Sequence, residues 1–397
     1  RLAAVNSMFD DIEFEQAEVF ARLLQEEPDP QVAAALDSVL ALARLGAPDS
    51  ERRLAAVAEL EGRLEPAVRN GLTRLAESDP DPEVAAAAAG ALQEIEKQVT
   101  LYGYLETLFF GLSLGSVLVL AAIGLAITFG VMGVINMAHG ELIMLGAYTT
   151  YLIQQAMPEM IGLSILLAVP AAFLVSGAAG IAIERGVIRF LYGRPLETLL
   201  ATFGISLVLQ QLVRTLISPQ NVPVANPEFL SGLWQINSAL SLTYNRLYIF
   251  IFCLLVFAAL FFVLKRTRLG LQVRAVSQNR AMARARGVRS ARVDALTFGL
   301  GSGIAGIAGV ALSQLTNVGP NLGQAYIVDS FMVVVFGGVG NLWGTLVGGL
   351  GLGIANKLME PWAGAVLAKI LLLVFIILFI QKRPRGLFPQ KGRAAEN

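Results

Sequence analysis

The sequence holds one cysteine, Cys253, and one histidine, His139, among 397 residues. A disulfide framework, a Cys/His zinc site and a pair of histidine ligands each need several such side chains converging, so all are excluded and no metal centre is expected. No G-x-x-x-x-G-K-S/T segment occurs either. That loop is how many chains cradle ATP phosphates, so no cofactor is expected in this chain, and a pump built on it must borrow its ATPase. Charge is scarce, 15% of residues against 55% hydrophobic. The little there is divides unevenly: residues 1–100 carry 20 Asp/Glu and 9 Lys/Arg, leaving 10 and 21 for the rest, so the net charge of zero hides −11 and +11. The two parts are read separately, with nothing pointing to a nucleic-acid partner.

Residues 101–390 read as a membrane domain. A bilayer core takes about 20 apolar residues of helix, and such runs stand at 105–131, 140–157, 161–183, 196–217, 247–264, 295–312, 327–355 and 363–380. Short basic loops stay cytoplasmic. The loop 265–292 has nine basic residues and no acidic one, and the segment after Ile380 carries Lys382, Arg383, Arg385, Lys391 and Arg393, so both are placed inside, with 391–397 as a cytoplasmic tail. Three runs between two cytoplasmic segments require one that enters and leaves on the same side. The run 327–355 is the candidate for such a re-entrant hairpin, being too long for one span and interrupted at Gly337-Gly338-Val339-Gly340-Asn341. Irregular backbone at membrane depth survives only inside protein or beside a wet cavity, so the break points to a solute path. By the same counting the loop 218–245 and the front part fall outside. A chain opening on Arg1 is compatible with a removed secretory signal.

Residues 1–100 are expected to form a small α-helical domain. Two stretches echo each other, Glu27-Pro28-Asp29-Pro30 and Ser78-Asp79-Pro80-Asp81-Pro82, each running into alanines. Asp before Pro caps a helix start and Pro suits its first turn. The pattern resembles HEAT-type repeats, a docking surface or a spacer.

Polar residues inside apolar runs are the site candidates, because ionisable groups in a membrane are costly. Asn136, His139 and Glu141 lie within six residues of one another, Asp329 precedes the glycine break, and Asn341 and Trp343 follow it. These six are the expected translocation residues. The glycine series 299, 301, 303, 306 and 309, and 344, 348, 349, 351 and 353, suits tight helix packing. The arginine-rich loop suggests a short amphipathic helix ended by Gly287, fit to bind lipid headgroups or a soluble partner. No catalytic residue is assigned. An intramembrane serine protease using His139 and Ser302 lacks a nucleophile motif, and a passive channel would not need the basic loop.

The runs NMAHGELIMLGAY (136–148), GRPLETLLATFGISLVLQQ (193–211), 274–309 and DSFMVVVFGGVGNLWGTLVGG (329–349) resemble the permeases of branched-chain amino-acid ABC importers, closest to their urea-type branch. The resemblance implies an all-α polytopic bundle working by alternating access. It implies as partners a second homologous permease, two cytoplasmic ATPase subunits that bind the ATP, and a periplasmic solute-binding protein, all at the bilayer of a bacterial inner membrane. It places an ATPase-coupling helix around Asn279, Arg280, Ala283, Arg284 and Gly287. Urea is the implied solute, with a branched-chain or other neutral amino acid as the alternative.

Overall fold

The computed structural model describes residues 4, 5, 8, 12 and 14–389; the expected tail 391–397 lies outside the described residues. Two compact units emerge, Arg1–Glu106 with Trp234–Leu242, and Thr107–Leu233 with Thr243–Asn397.

The first unit contains α1 (Ala17–Glu26), α2 (Pro30–Arg44), α3 (Ser50–Leu60), α4 (Pro66–Ser78) and the opening turns of α5 (Pro82–Met132). Three of these begin on proline, whose missing N–H costs nothing in a first turn. The echoing Asp-Pro pairs do start helices: Ala33 donates to the Asp29 carbonyl at 2.9 Å and Ala85 to that of Asp81 at 3.0 Å. Val57, Leu60, Val68, Leu72 and Ile95 are buried together. Residues 218–245, expected as loop, contain a hairpin of β1 (Leu233–Asn237) and β2 (Leu240–Thr243), whose Ala239 packs on that same core.

One ion pair ties α3 to the turn after α4. Arg53 Nε and Nη2 donate to Asp79 Oδ2 and Oδ1 at 2.8 and 2.9 Å, and both side chains are nearly buried. The Arg53 guanidinium holds the Asp79 carboxyl below its ordinary range. A depressed folded-state value contributes stability that is present above the unfolded carboxylate pKa and is lost as pH falls through the folded one. Arg53→Met should therefore destabilise this unit by about 2 kcal/mol at pH 7, with the gap to the parent closing below about pH 4. Hydrogen exchange of the α3 and α4 amides in the full chain reads this directly. A gap that stays constant down to about pH 3 would assign the effect to packing instead of charge.

The second unit comprises the rest of α5, α6 (His139–Ala156), α7 (Ile161–Gly186), α8 (Pro195–Leu216), α9 (Tyr244–Arg266), α10 (Arg268–Gln278), α11 (Arg280–Ala285), α12 (Ser290–Ser313), α13 (Leu322–Gly337) and α14 (Leu342–Lys382). Among the described residues six helices are long and apolar enough to cross a membrane, and α13 is a shorter apolar one. Helix α12 is almost wholly enclosed, packed on α6 and α7, whereas α7, α8, α9 and α14 turn large apolar side chains outward. Small residues set how closely the centre packs: a Cβ on Gly146 would sit 2.0 Å from the Gly306 carbonyl oxygen. In lipid, where tails are as apolar as leucine, such close approach is what drives association.

The parity that prompted a re-entrant hairpin resolves differently. The break at 338–341 is present, with Gly338 and Gly340 at φ +107° and +79°. It separates two helices of the expected 327–355 run, and α14 is itself divided at Gly364 (φ +76°, ψ 160°), just after Pro361. Leu352 shares a buried cluster with Leu372 and Ile376. Twenty-four residues of straight helix would hold Leu352 and Ile376 about 36 Å apart, so the chain must fold back at Gly364. Four apolar helices, not three, therefore lie between Arg292 and Lys382, and an even number needs no same-side return.

Candidate functional site: breaks, buried polar groups and a basic face

Helix α5 ends at Met132, Gly133 takes φ +67°, and the chain runs irregularly until α6 begins at His139. The backbone groups freed there find partners. Asn136 Oδ1 accepts from Ala138 N at 3.0 Å, and Met137 N donates to Thr202 Oγ1 of α8 at 3.1 Å. His139 Nε2 lies 2.8 Å from the Ala121 carbonyl of α5, which makes Nε2 the donor, and Nδ1 has no partner among the described residues. Glu141 Oε1 accepts from Ser206 Oγ at 2.9 Å and Gln210 Nε2 at 2.7 Å, while Oε2 has no partner. All three expected residues are buried. Ser206 and Gln210 sit four apart on one face of α8, an i, i+4 signal that was available in the sequence and not used.

Helix α13 begins at Leu322, after an irregular stretch in which Val318 pairs with Val222. Its Gly323 meets Gly140, and a Cβ on either residue would fall within 2.5 Å of the other's carbonyl oxygen. Each glycine is the second residue of its helix, so two broken helices start against each other in the interior. The segments that meet are thus the helix starts at 136–141 and 321–324.

Asn341 caps α14, its Oδ1 accepting from Gly344 N at 3.2 Å, and its Nδ2 donates to the Phe388 carbonyl at 3.1 Å. Phe388 N and Leu387 N bond in turn to the carbonyls of Gly337 and Phe336, at 3.1 and 2.8 Å, so this segment straps the break. Trp343 is half exposed and packs edge-on against Phe257 and Phe261, with centroids 5.3 and 5.9 Å away. Asn341 and Trp343 line a cavity of about 750 Å³ together with Lys265, Arg274 and Gln278. Asp329 lines a different one, of about 230 Å³. The six expected residues thus fall into three places.

The basic loop forms α10 and α11, joined at Asn279, whose Oδ1 accepts from Met282 N at 2.9 Å. Gly287 ends the turn at φ +84°. Ala283 is buried with Val273, Val276 and Val293. The two expected coupling arginines turn toward the bundle. Arg280 Nη2 donates to Asp294 Oδ1 at 2.8 Å, its guanidinium stacking 4.7 Å from the Tyr192 ring centre, and Arg284 Nε donates to Ser290 Oγ at 2.7 Å. Tyr192 in turn donates to Glu184 Oε1 at 2.9 Å. Burial, with the carboxylates of Asp294 and Glu184 nearby, pushes the Tyr192 phenol up, so it stays a donor at neutral pH. Met282, 58% exposed, is the large apolar residue that α11 leaves outward. Glu184 and Tyr192 lie about a hundred positions before Asp294, so the sequence gives no sign that the three meet.

A family model described as "Branched-chain amino acid transport system / permease component" matches residues 107–380. The high-affinity branched-chain amino acid transport system permease protein LivH of Salmonella typhimurium is 32% identical over 294 residues, covering 72% of this chain and 95% of that protein. BraD of Pseudomonas aeruginosa, of the same description, is 32% identical over 297 residues, covering 72% and 96%. The ribose import permease protein RbsC of Escherichia coli is 26% identical over 263 residues, covering 64% and 77%. No solved structure matches. No relative named here is a urea permease, so the match favours the amino-acid alternative over the urea reading. A match spanning most of the chain, on a unit of at least six membrane-length helices, makes this a multi-pass membrane protein that belongs to the branched-chain amino acid transport system permease family.

Proposed function

We propose that the chain is one of two permease subunits of an ABC importer in a bacterial inner membrane, moving a branched-chain or other neutral amino acid by alternating access. ATPase subunits in trans drive it, and a periplasmic binding protein delivers the solute. The observation that carries this reading is the family match over residues 107–380 together with relatives named for branched-chain amino acids. Geometry adds support. Two helices that start against each other at Gly140 and Gly323, with unpaired Glu141 and Asn136 atoms nearby, form the kind of junction that can open from either side.

Urea is the second reading, and one feature favours it: an acidic helical part lies ahead of residue 107, outside the matched region, as in the urea-type branch that the sequence resembles. A HEAT-like role for that part, its position outside the membrane and the inward placement of the basic loop belong to this proposal too. Reconstituted complex, with binding protein and ATPases, should import labelled leucine only when ATP is supplied. Urea uptake without leucine uptake would move the assignment to the second reading, and flux of either without ATP would indicate a channel.

A further inference from the structure

Asp329 on α13 and Lys369 on the part of α14 beyond Gly364 face each other with Oδ2 and Nζ 2.7 Å apart. The Asp329 side chain is 9% exposed and its Oδ1 has no partner; Lys369 is 49% exposed among outward apolar neighbours that include Val366 and Ile370. Both line the cavity of about 230 Å³, with Tyr326 and Asn356 as its other polar residues and Leu118, Met332 and Leu372 among its aliphatic ones. A water occupies about 30 Å³ of liquid, so a solute the size of several waters has room there.

A strut between helices does not explain the pair. Replacing a buried ion pair by apolar side chains of similar volume is commonly neutral or stabilising, and a charge within a span is costly unless it is used. What the pair offers, and leucines would not, is acceptors beside donors in one cavity. We infer that Asp329 and Lys369 form a solute-binding site for a compact polar molecule with N–H donors at one end and an oxygen acceptor at the other. The Asp329 carboxylate takes the N–H, and Lys369 Nζ donates to the oxygen. An amino-acid zwitterion and urea share this chemistry. Both enter a neutral pair without bringing in net charge, whereas an anion or a cation would leave one uncompensated. The inference rests on the importer reading above.

The test uses the full reconstituted complex and measures ATP-dependent uptake of labelled leucine and labelled urea. Variants are Lys369→Met, Asp329→Asn and the double Asp329→Leu/Lys369→Leu, which keeps packing while removing both charges. Each variant complex should assemble, and uptake of whichever solute the parent imports should fall about ten-fold or more, the equivalent of one lost charged hydrogen bond. Should the leucine double variant assemble and transport within about two-fold of the parent, the pair is a strut and the site is withdrawn. A parent complex that imports neither solute overturns the importer reading and this site with it. The solute lost tells the zwitterion from urea.

Discussion

Arg280→Glu is expected to cut ATP-coupled uptake by the reconstituted complex roughly a hundred-fold while the membrane helices still assemble. Its partner Asp294 is wholly buried, and among the described residues Arg280 Nη2 alone bonds to that carboxylate. Removing one member of such a pair leaves an uncompensated charge, about 3 kcal/mol or more of destabilisation. The nearest escape is to pull α11 off the bundle. Because the same guanidinium stacks on Tyr192, and Tyr192 holds Glu184 at the end of α7, displacement frees α11 from α7 and α12 together. ATP hydrolysis should then continue without uptake. The exchanged pair Arg280→Asp/Asp294→Arg should recover part of the coupling. Uptake within about two-fold of the parent in Arg280→Glu would mean that α11 is held by Ala283 and its apolar neighbours alone. On this expectation Arg280 acts by positioning α11, whose exposed large apolar side chain is Met282.

The second large effect concerns the centre. Gly146→Val should abolish recovery of folded chain, because its first added carbon would lie 2.0 Å from the Gly306 oxygen, and backbone cannot yield as a side-chain tip does. Overpacking on this scale costs several kcal/mol, beyond the typical range of about 1–3 kcal/mol for added methylenes. Gly351→Ala is the matched control, since nothing lies within 4 Å of its Cβ position. There alanine should leave the thermal midpoint in detergent unchanged or raise it, helical alanine being favoured over glycine by about 0.5–1 kcal/mol. Equal behaviour of the two variants would show that α6 and α12 can part without loss, contrary to the packing described.

Much of the membrane unit was legible because hydropathy follows desolvation, which is local to a segment. Helices α6, α7, α8, α9 and α12 begin and end within a few residues of the apolar runs. The break at 338–341 was legible because glycine at positive φ and an Asn cap are chemical signals carried by the residues themselves. The fold-back at Gly364 was foreshadowed by the gap between the runs 327–355 and 363–380. What hydropathy did not show is that the two sides of the 338–341 break belong to separate helices, α13 and α14, each reaching beyond the run 327–355. At the site, Asn136, His139, Glu141 and Asp329 stood out as isolated polar residues. Their partners Thr202, Ser206, Gln210 and Lys369 come from helices that the chain reaches only later, and a single sequence carries no sign of which helices will meet.

The strap at Phe388 has a consequence for how the chain is made. Asn341 and the carbonyl it holds are 47 positions apart, a stretch a ribosome needs roughly 2–9 s to deliver. Until residues 385–388 have been made the start of α14 lacks its clamp, so the break and the first arm of α14 are complete before the segment that straps them exists.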